Sequence, residues 1–366
     1  MKIAQIAPLM ESVPPRLYGG TERIVSYLTE ELVALGHDVT LFASGDSITS
    51  AKLVPCARSA LRLDDAVRDP IPSLLLMLDR VRQRAHDFDI LHFHVDQFQF
   101  PVFHSLAAHT LTTLHGRQDL PDLPGLYAGF DDMPLVSISD AQRRHIPNAN
   151  FVATVHHGVP LSSLRPQFEC KGNYLAFLGR ISPEKRPDRA IDIALASGIP
   201  LKIAAKVDRV DAAYFKEKIE QRIDGVKVQF IGEINENKKS EFLGNAHALL
   251  FPIDWPEPFG LVMIEAMACG TPVLAFRAGS VPELVDDGVT GRIVDSVEEA
   301  IHVLPEVVAL DRPKVRRCFE RRFSSKRMAQ EYVKVYRSLL AAIQPIPDEC
   351  EEAEPVLTDE RRPYVA

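Results

Sequence analysis

Strand-like and helix-like stretches alternate along this chain, and that alternation leaves few folds open to it. Residues 2–8 form a short apolar run, and a Gly-containing loop follows. Residues 21–35 place Ile24, Val25, Leu28, Leu32 and Leu35 on one helix face, which Thr21 can cap and Gly36 can end. Residues 38–43, DVTLFA, return to a β-rich pattern. A strand, a helix and a strand in succession imply a parallel pair joined by a crossover. Further strands are expected at 89–93, 110–114, 135–138 and 151–155, while 51–86 read as mostly helical, interrupted by Pro70 and Pro72. A second series starts at Asn173, with strands at 173–179, 200–205, 226–232, 248–251 and 272–276 and helices at 187–197, 212–223, 238–245 and 260–269. Pro160, Pro166 and Gly172 punctuate the join. The expected fold class is α/β: two doubly wound Rossmann-like domains, 1–165 and 166–325, facing across a cleft. A helix at 326–344 follows, whose apolar face (Met328, Tyr332, Val335, Leu339) needs a surface to cover.

Charge and cysteine usage narrow the function. The net charge is −8, and the acidic, proline-bearing stretch 345–366, read as a disordered tail, carries seven acids against two bases. The remainder is close to neutral, which disfavours a nucleic-acid partner. No stretch approaches the ~18 apolar residues of a membrane span. The opening MKIAQIAPLM lacks a signal peptide's apolar region and cleavage site and reads better as a strand, so a cytoplasmic chain is expected. The five cysteines are scattered and show no CxxC spacing, so neither a disulfide framework nor a zinc site is expected. The run 312–327 holds eight basic residues, which could make a peripheral contact with an anionic membrane or an acidic partner, although a solvated helix face near the domain junction is the better account.

Four stretches carry chemistry. In PEPFGLVMIEAMACGTPV (256–273), Glu257 sits in a proline-bounded loop, a helix starts after Phe259 and Gly260 near Leu261 or Val262, and Glu265 lies about one turn in. Free N–H groups at a helix start favour phosphate, Gly260 lets a ligand approach the backbone, and a carboxylate one turn in could accept two ribose hydroxyls. The same spacing also fits a capped helix with an acidic first turn. In FLGRISPEKRP, Gly179, Arg180 and Lys185 are placed on a strand-to-helix loop where two cations could clamp a diphosphate, unless Glu184 merely neutralises Lys185. Gly19 and Gly20 open the first helix and could turn N–H groups toward a phosphate or sugar. His115, followed by Gly116, ends a strand on the ligand edge of its sheet. His92 and His94 could mimic a metal site with Asp96, but their alternation fits a strand face, and no metal is expected. The DxD at Asp87 and Asp89 precedes a strand and reads as a polar turn.

Together these residues resemble the family 4 retaining glycosyltransferases of the two-Rossmann GT-B fold, over nearly the whole chain. Glu257 and Glu265, eight positions apart, are similar to that family's paired-glutamate signature; GRISPEK is similar to its Gly-Arg-x-x-x-x-Lys motif, and YGGTE to its N-terminal glycine loop. TLHG, the 136–139 VSIS and the 279–291 GSVPELVDDGVTG also resemble family segments. The resemblance implies a hexosyl transfer from a UDP-, GDP- or ADP-sugar to an acceptor, with retention of anomeric configuration and no metal. It implies an acceptor-side first domain and a donor-side second. Arg180 and Lys185 would hold the diphosphate, Glu265 the ribose and Glu257 the transferred sugar. Gly19, Gly20, Gly179 and the backbone of Phe259, Gly260, Leu261 and Val262 would complete the donor site, and His115 would stand near the carbon under attack. The last helix would cross back onto the first domain.

Three positions depart from the family pattern: Arg186 where Gly is usual, His157 in place of the Asn of an Asn-Gly pair, and Lys206 in the loop near the base. Two other functions fit the same architecture, a nucleotide-sugar epimerase and a non-catalytic nucleotide-sugar-binding subunit. The acceptor, whether glycan, lipid or small metabolite, is left open because its contacts fall on variable loops.

Overall fold

In a computed structural model, residues 1–16 and 19–343 are described; Tyr18 of the glycine loop and the 345–366 stretch lie outside them. The first sheet contains β1 (Lys2–Ile6), β2 (Asp38–Ser44), β3 (Lys52–Ala57), β4 (Ile90–Phe93), β5 (Thr110–Thr113), β6 (Leu135–Ser137) and β7 (Phe151–Thr154). Their spatial order is β3-β2-β1-β4-β5-β6-β7, with every pairing parallel. The second sheet contains β8 (Leu175–Ile181), β9 (Leu201–Val207), β10 (Val228–Gly232), β11 (Leu249–Phe251), β12 (Val273–Phe276) and β13 (Gly291–Val294), in the order β10-β9-β8-β11-β12-β13, again parallel. Both are doubly wound. Strand order reverses at β1/β4 and at β8/β11, the points where open α/β sheets receive ligands.

Alternation fills both faces of each sheet. In β8, Leu175 and Phe177 enter one buried cluster with Ile191 and Leu250, and Ala176 enters the other with Leu249 and Met267. In the first sheet Ile3, Ile90, Leu111 and Val136 meet the helix Gly20–Ala34 through Ile24, Leu28 and Leu32. The last helix, Ser325–Ile343, completes that same cluster with Met328, Tyr332 and Tyr336, all fully buried. The apolar face read from the sequence thus covers the first sheet, as the resemblance implied.

Several expectations need correction. Residues 51–86 are not mostly helical: β3 occupies the sheet's edge, where Pro55 costs no central hydrogen bond, and only Ile71–Gln83 forms a long helix. The 212–223 helix is a string of short α, 3₁₀ and π turns. The strand at 173–179 runs on to Ile181, because pairing with β9 continues to Ile181↔Val207, so Arg180 belongs to a strand rather than a loop. The basic run is not simply a solvated face. Arg312, Arg316, Arg322 and Arg327 turn inward onto backbone carbonyls, including those of Ala246, Ala268, Leu284 and His156. Lys314, Arg317, Arg321 and Lys326 stay exposed.

Candidate active site

The loops that follow β1, β5, β8 and β11 enclose one cleft of about 540 Å³ between the sheets. Arg180, Lys185, Glu257 and Glu265 all line it, as do His115, Gly19, Gly20, Gly179 and the 259–262 segment. Residues from four distant stretches are thus brought to one space, those after β1, β8 and β11 at the switch points and His115 from the neighbouring β5.

The helix that borders the cleft after β11 is Leu261–Ala268. Its cap, Gly260, has φ +83°, and a Cβ there would stand 2.7 Å from the Met263 methyl, so the helix start depends on glycine. Its first N–H groups have no intrahelical partner, and Leu261 and Val262 border the cleft. The loop before it is seated by Gly279, also at positive φ, where a Cβ would collide with the backbone of Glu257.

Glu257 is only 8% exposed. Its Oε2 accepts from the Lys185 ammonium and, at 3.0 Å, from the Trp255 indole N–H. Lys185 Nζ also stands 5.0 Å from the centroid of that indole ring. Arg180 is less well satisfied. Its nearest acids are Glu184 at 3.6 Å and Asp208 at 3.8 Å, and its buried Nε has no hydrogen-bond partner. Such a guanidinium is suited to an incoming anion. Glu265, 4% exposed, is held by Lys239 at 2.6 Å. Lys239 also meets Glu236 at 3.2 Å, and Glu236 meets Arg23 of the first lobe at 2.8 Å. A row of alternating charges therefore links the helix Gly20–Ala34 to the second glutamate.

His115 lies at the opposite wall. Burial drives its imidazole down to about 3, so it is neutral at ordinary pH. Its ring stacks on His157 with centroids 5.2 Å apart, and His157 in turn meets Phe259 edge-on at 4.8 Å. A position departing from the family pattern thus joins the two lobes. Gly20 does so as well: a Cβ there would touch the Leu261 side chain at 3.6 Å. Arg186 sits in left-handed backbone (φ 51°, ψ 52°) at the cap of the helix Pro187–Ser197, which explains why glycine would suit the place. Its guanidinium is forked onto Asp188 and Asp254, and it does not line the cleft. Lys206 lines the cleft and meets Asp208 at 2.9 Å.

Sequence reasoning missed Lys239, Trp255 and Arg117. Arg117 reaches Glu184 across the lobes at 3.0 Å. Only Trp255, the chain's single tryptophan and two residues before Glu257, carried a signal. His92 and His94, weighed as a strand face in the cleft, are instead buried beneath it and hydrogen-bonded. Among the described residues no group of three or more His, Cys, Asp or Glu is placed to hold a metal ion. No described helix is long and apolar enough to cross a membrane.

Two sheets of this topology with a polar cleft between them define the GT-B architecture, and comparison with known proteins gives the family. Residues 18–159 match the family model described as Glycosyltransferase Family 4, and residues 165–320 match Glycosyl transferases group 1. The chain belongs to these glycosyltransferases. It is 27% identical over 336 residues to a D-inositol 3-phosphate glycosyltransferase of Frankia alni, covering 75% of this chain and 82% of the relative. A GDP-mannose-dependent alpha-(1-6)-phosphatidylinositol dimannoside mannosyltransferase of Mycobacterium tuberculosis is 30% identical over 186 residues, 48% of each chain. Among solved structures, AviGT4, a glycosyltransferase involved in avilamycin A biosynthesis, superposes with a TM-score of 0.69 at 27% identity, covering 93% of this chain and 98% of that one. Sucrose-phosphate synthase from Thermosynechococcus elongatus has a TM-score of 0.76 at 19% identity, covering 93% and 100%, and shares the fold.

Proposed function

We propose that this glycosyltransferase moves a hexose from a nucleotide diphosphate sugar to a hydroxyl acceptor with retention of configuration. One observation carries the reading: Arg180, Lys185, Glu257 and Glu265 border the same cleft as an open helix start. In this reading Arg180 and Lys185 receive the diphosphate, and the diphosphate displaces Glu257 from Lys185. Glu257, released, accepts hydroxyls of the transferred sugar, and Glu265 accepts those of the ribose. As the bond from the sugar carbon to the phosphate oxygen breaks, the two cations and the N–H groups of 261–262 meet the growing negative charge. The acceptor oxygen attacks from the same face, and its proton passes to the departing phosphate. His115 closes the opposite side. The first lobe offers the acceptor side, and glycan, lipid headgroup and small metabolite are its candidate classes. The names of the inositol-directed relatives make a polyol phosphate the first acceptor to assay.

Titration calorimetry with UDP-, GDP- and ADP-sugars tests the donor site. One of these is expected to bind, and Lys185→Ala and Glu265→Ala are each expected to weaken it by about tenfold or more, or ~1.4 kcal/mol. Wild-type affinity in both variants would overturn the assignment.

A further inference from the structure

A row of buried side chains runs from the last helix to the cleft. Tyr336 Oη lies 2.7 Å from His92 Nδ1 and 3.1 Å from Gln5 Nε2, and Gln5 Nε2 is 3.3 Å from His92 Nδ1. At the other end of the same amide, Gln5 Oε1 is 2.8 Å from His94 Nε2. His94 Nδ1 is then 2.9 Å from His115 Nε2. A branch runs from His92 Nε2 to Thr113 Oγ1 at 2.8 Å, and on to Tyr332 Oη at 2.9 Å. Gln5, His92, Thr113, Tyr332 and Tyr336 are fully buried, and His94 is nearly so.

A neutral imidazole has one N–H and one lone pair, so the partner of one nitrogen decides the role of the other. A carbonyl oxygen only accepts. Gln5 Oε1 therefore makes His94 Nε2 the N–H and His94 Nδ1 the lone pair. That lone pair in turn makes His115 Nε2 the N–H and leaves His115 Nδ1 bare. His115 Nδ1 is buried and has no partner within the protein. Turning the amide over would reverse every bond in the row, because Tyr336, His92, Thr113 and Tyr332 can each donate or accept. It would also place an N–H on the partnerless Nδ1, and an orphaned buried donor is the rarer case.

We propose that Gln5 is a positioning residue: seated by Tyr336, its amide selects the His115 tautomer in which Nδ1 is a bare acceptor. On the reading of the cleft given above, a hydroxyl of the bound sugar or acceptor is the group that fills it. The role is one of orientation, and it ties the rim of the cleft to Tyr336 through Gln5, from which Tyr336 is 331 positions away in the chain.

Long-range ¹H–¹⁵N correlation spectra of ¹⁵N-histidine-labelled protein test it without any ligand. The wild type is expected to show His115 as a single Nε2–H tautomer, with Nδ1 at the shift of an unprotonated nitrogen. Gln5→Leu removes the carbonyl that orders His94, and the His115 shifts are expected to move toward the average of both tautomers. Tyr336→Phe, which keeps the ring in the core, should move the same resonances in the same direction if the leucine variant does not fold. An Nδ1–H tautomer in the wild type, or unchanged His115 shifts in the folded variants, would overturn the proposal. Because no donor is present, either result is independent of whether the cleft binds a nucleotide sugar.

Discussion

Burial of imidazoles is the residue-scale feature with the widest reach. His92, His94, His115 and His157 are all held well below the usual histidine range, chiefly by desolvation. Each is neutral in the folded chain yet takes up a proton near pH 6.5 once unfolded. The unfolded state therefore binds more protons below that pH, and stability falls as pH falls. Between pH 7.5 and 5.5 the loss is expected to be on the order of 1 kcal/mol per histidine. Glu22 and Asp96, raised by burial, act in the opposite sense toward the acid end. Urea unfolding at the two pH values checks this, and His157→Gln should flatten the dependence by its share. Individual residues were the most legible part of the site. Glu257, Glu265, Arg180 and Lys185 stand beside prolines, glycines and helix starts that mark them out. Lys239 and Gln5 were illegible because nothing local distinguishes a lysine that will meet a distant carboxylate, or a glutamine inside a β pattern.

Elements show where patterning decides and where packing does. Parallel strands read as apolar runs because both faces are covered, and most of the thirteen among the described residues are legible to within two residues of their ends. β3 is not legible because an edge strand with Pro55 and no fully buried residue has no apolar signature. Charge alone places the helix Arg312–Arg322 in solvent, and packing turns one face of it inward. Arg312 is 8% exposed and donates to the carbonyls of Gln167, Gly244 and Ala246 and to the Thr271 hydroxyl. Arg316 reaches the Ala268 carbonyl at 2.5 Å, where a cation also suits the C-terminal end of the helix Leu261–Ala268. Arg312→Ala would leave those buried carbonyls without donors, and we expect a cost of about 3 kcal/mol in chemical denaturation. Arg317→Ala, on the exposed side of the same helix, should cost less than ~0.5 kcal/mol. Equal effects would mean that the inward arginines are not structural.

At the scale of the whole molecule, the lobes are joined by named polar contacts. Glu283 of the second lobe accepts from the backbone N–H groups of Asp140 and Ala141 at 2.8 and 2.7 Å, and Ser139 donates to the Pro258 carbonyl at 2.6 Å. Glu283→Ala should cost about 1–3 kcal/mol and lower the melting temperature, since a charged acceptor is lost from two N–H groups. The last helix matters more. At roughly 1.5–3 kcal/mol per buried apolar side chain, removing it approaches the whole stability of an ordinary domain. The second sheet is built from one uninterrupted stretch, 175–294, whereas the first, built from 2–154, is covered on one face by the distant helix Ser325–Ile343. During synthesis, then, the portion that leaves the ribosome first must wait for the helix Ser325–Ile343 before that face of its sheet can close. The later-made half can mature while one face of its predecessor is still open, which inverts the usual order of vectorial folding and leaves the early segment dependent on residues 325–343 having emerged.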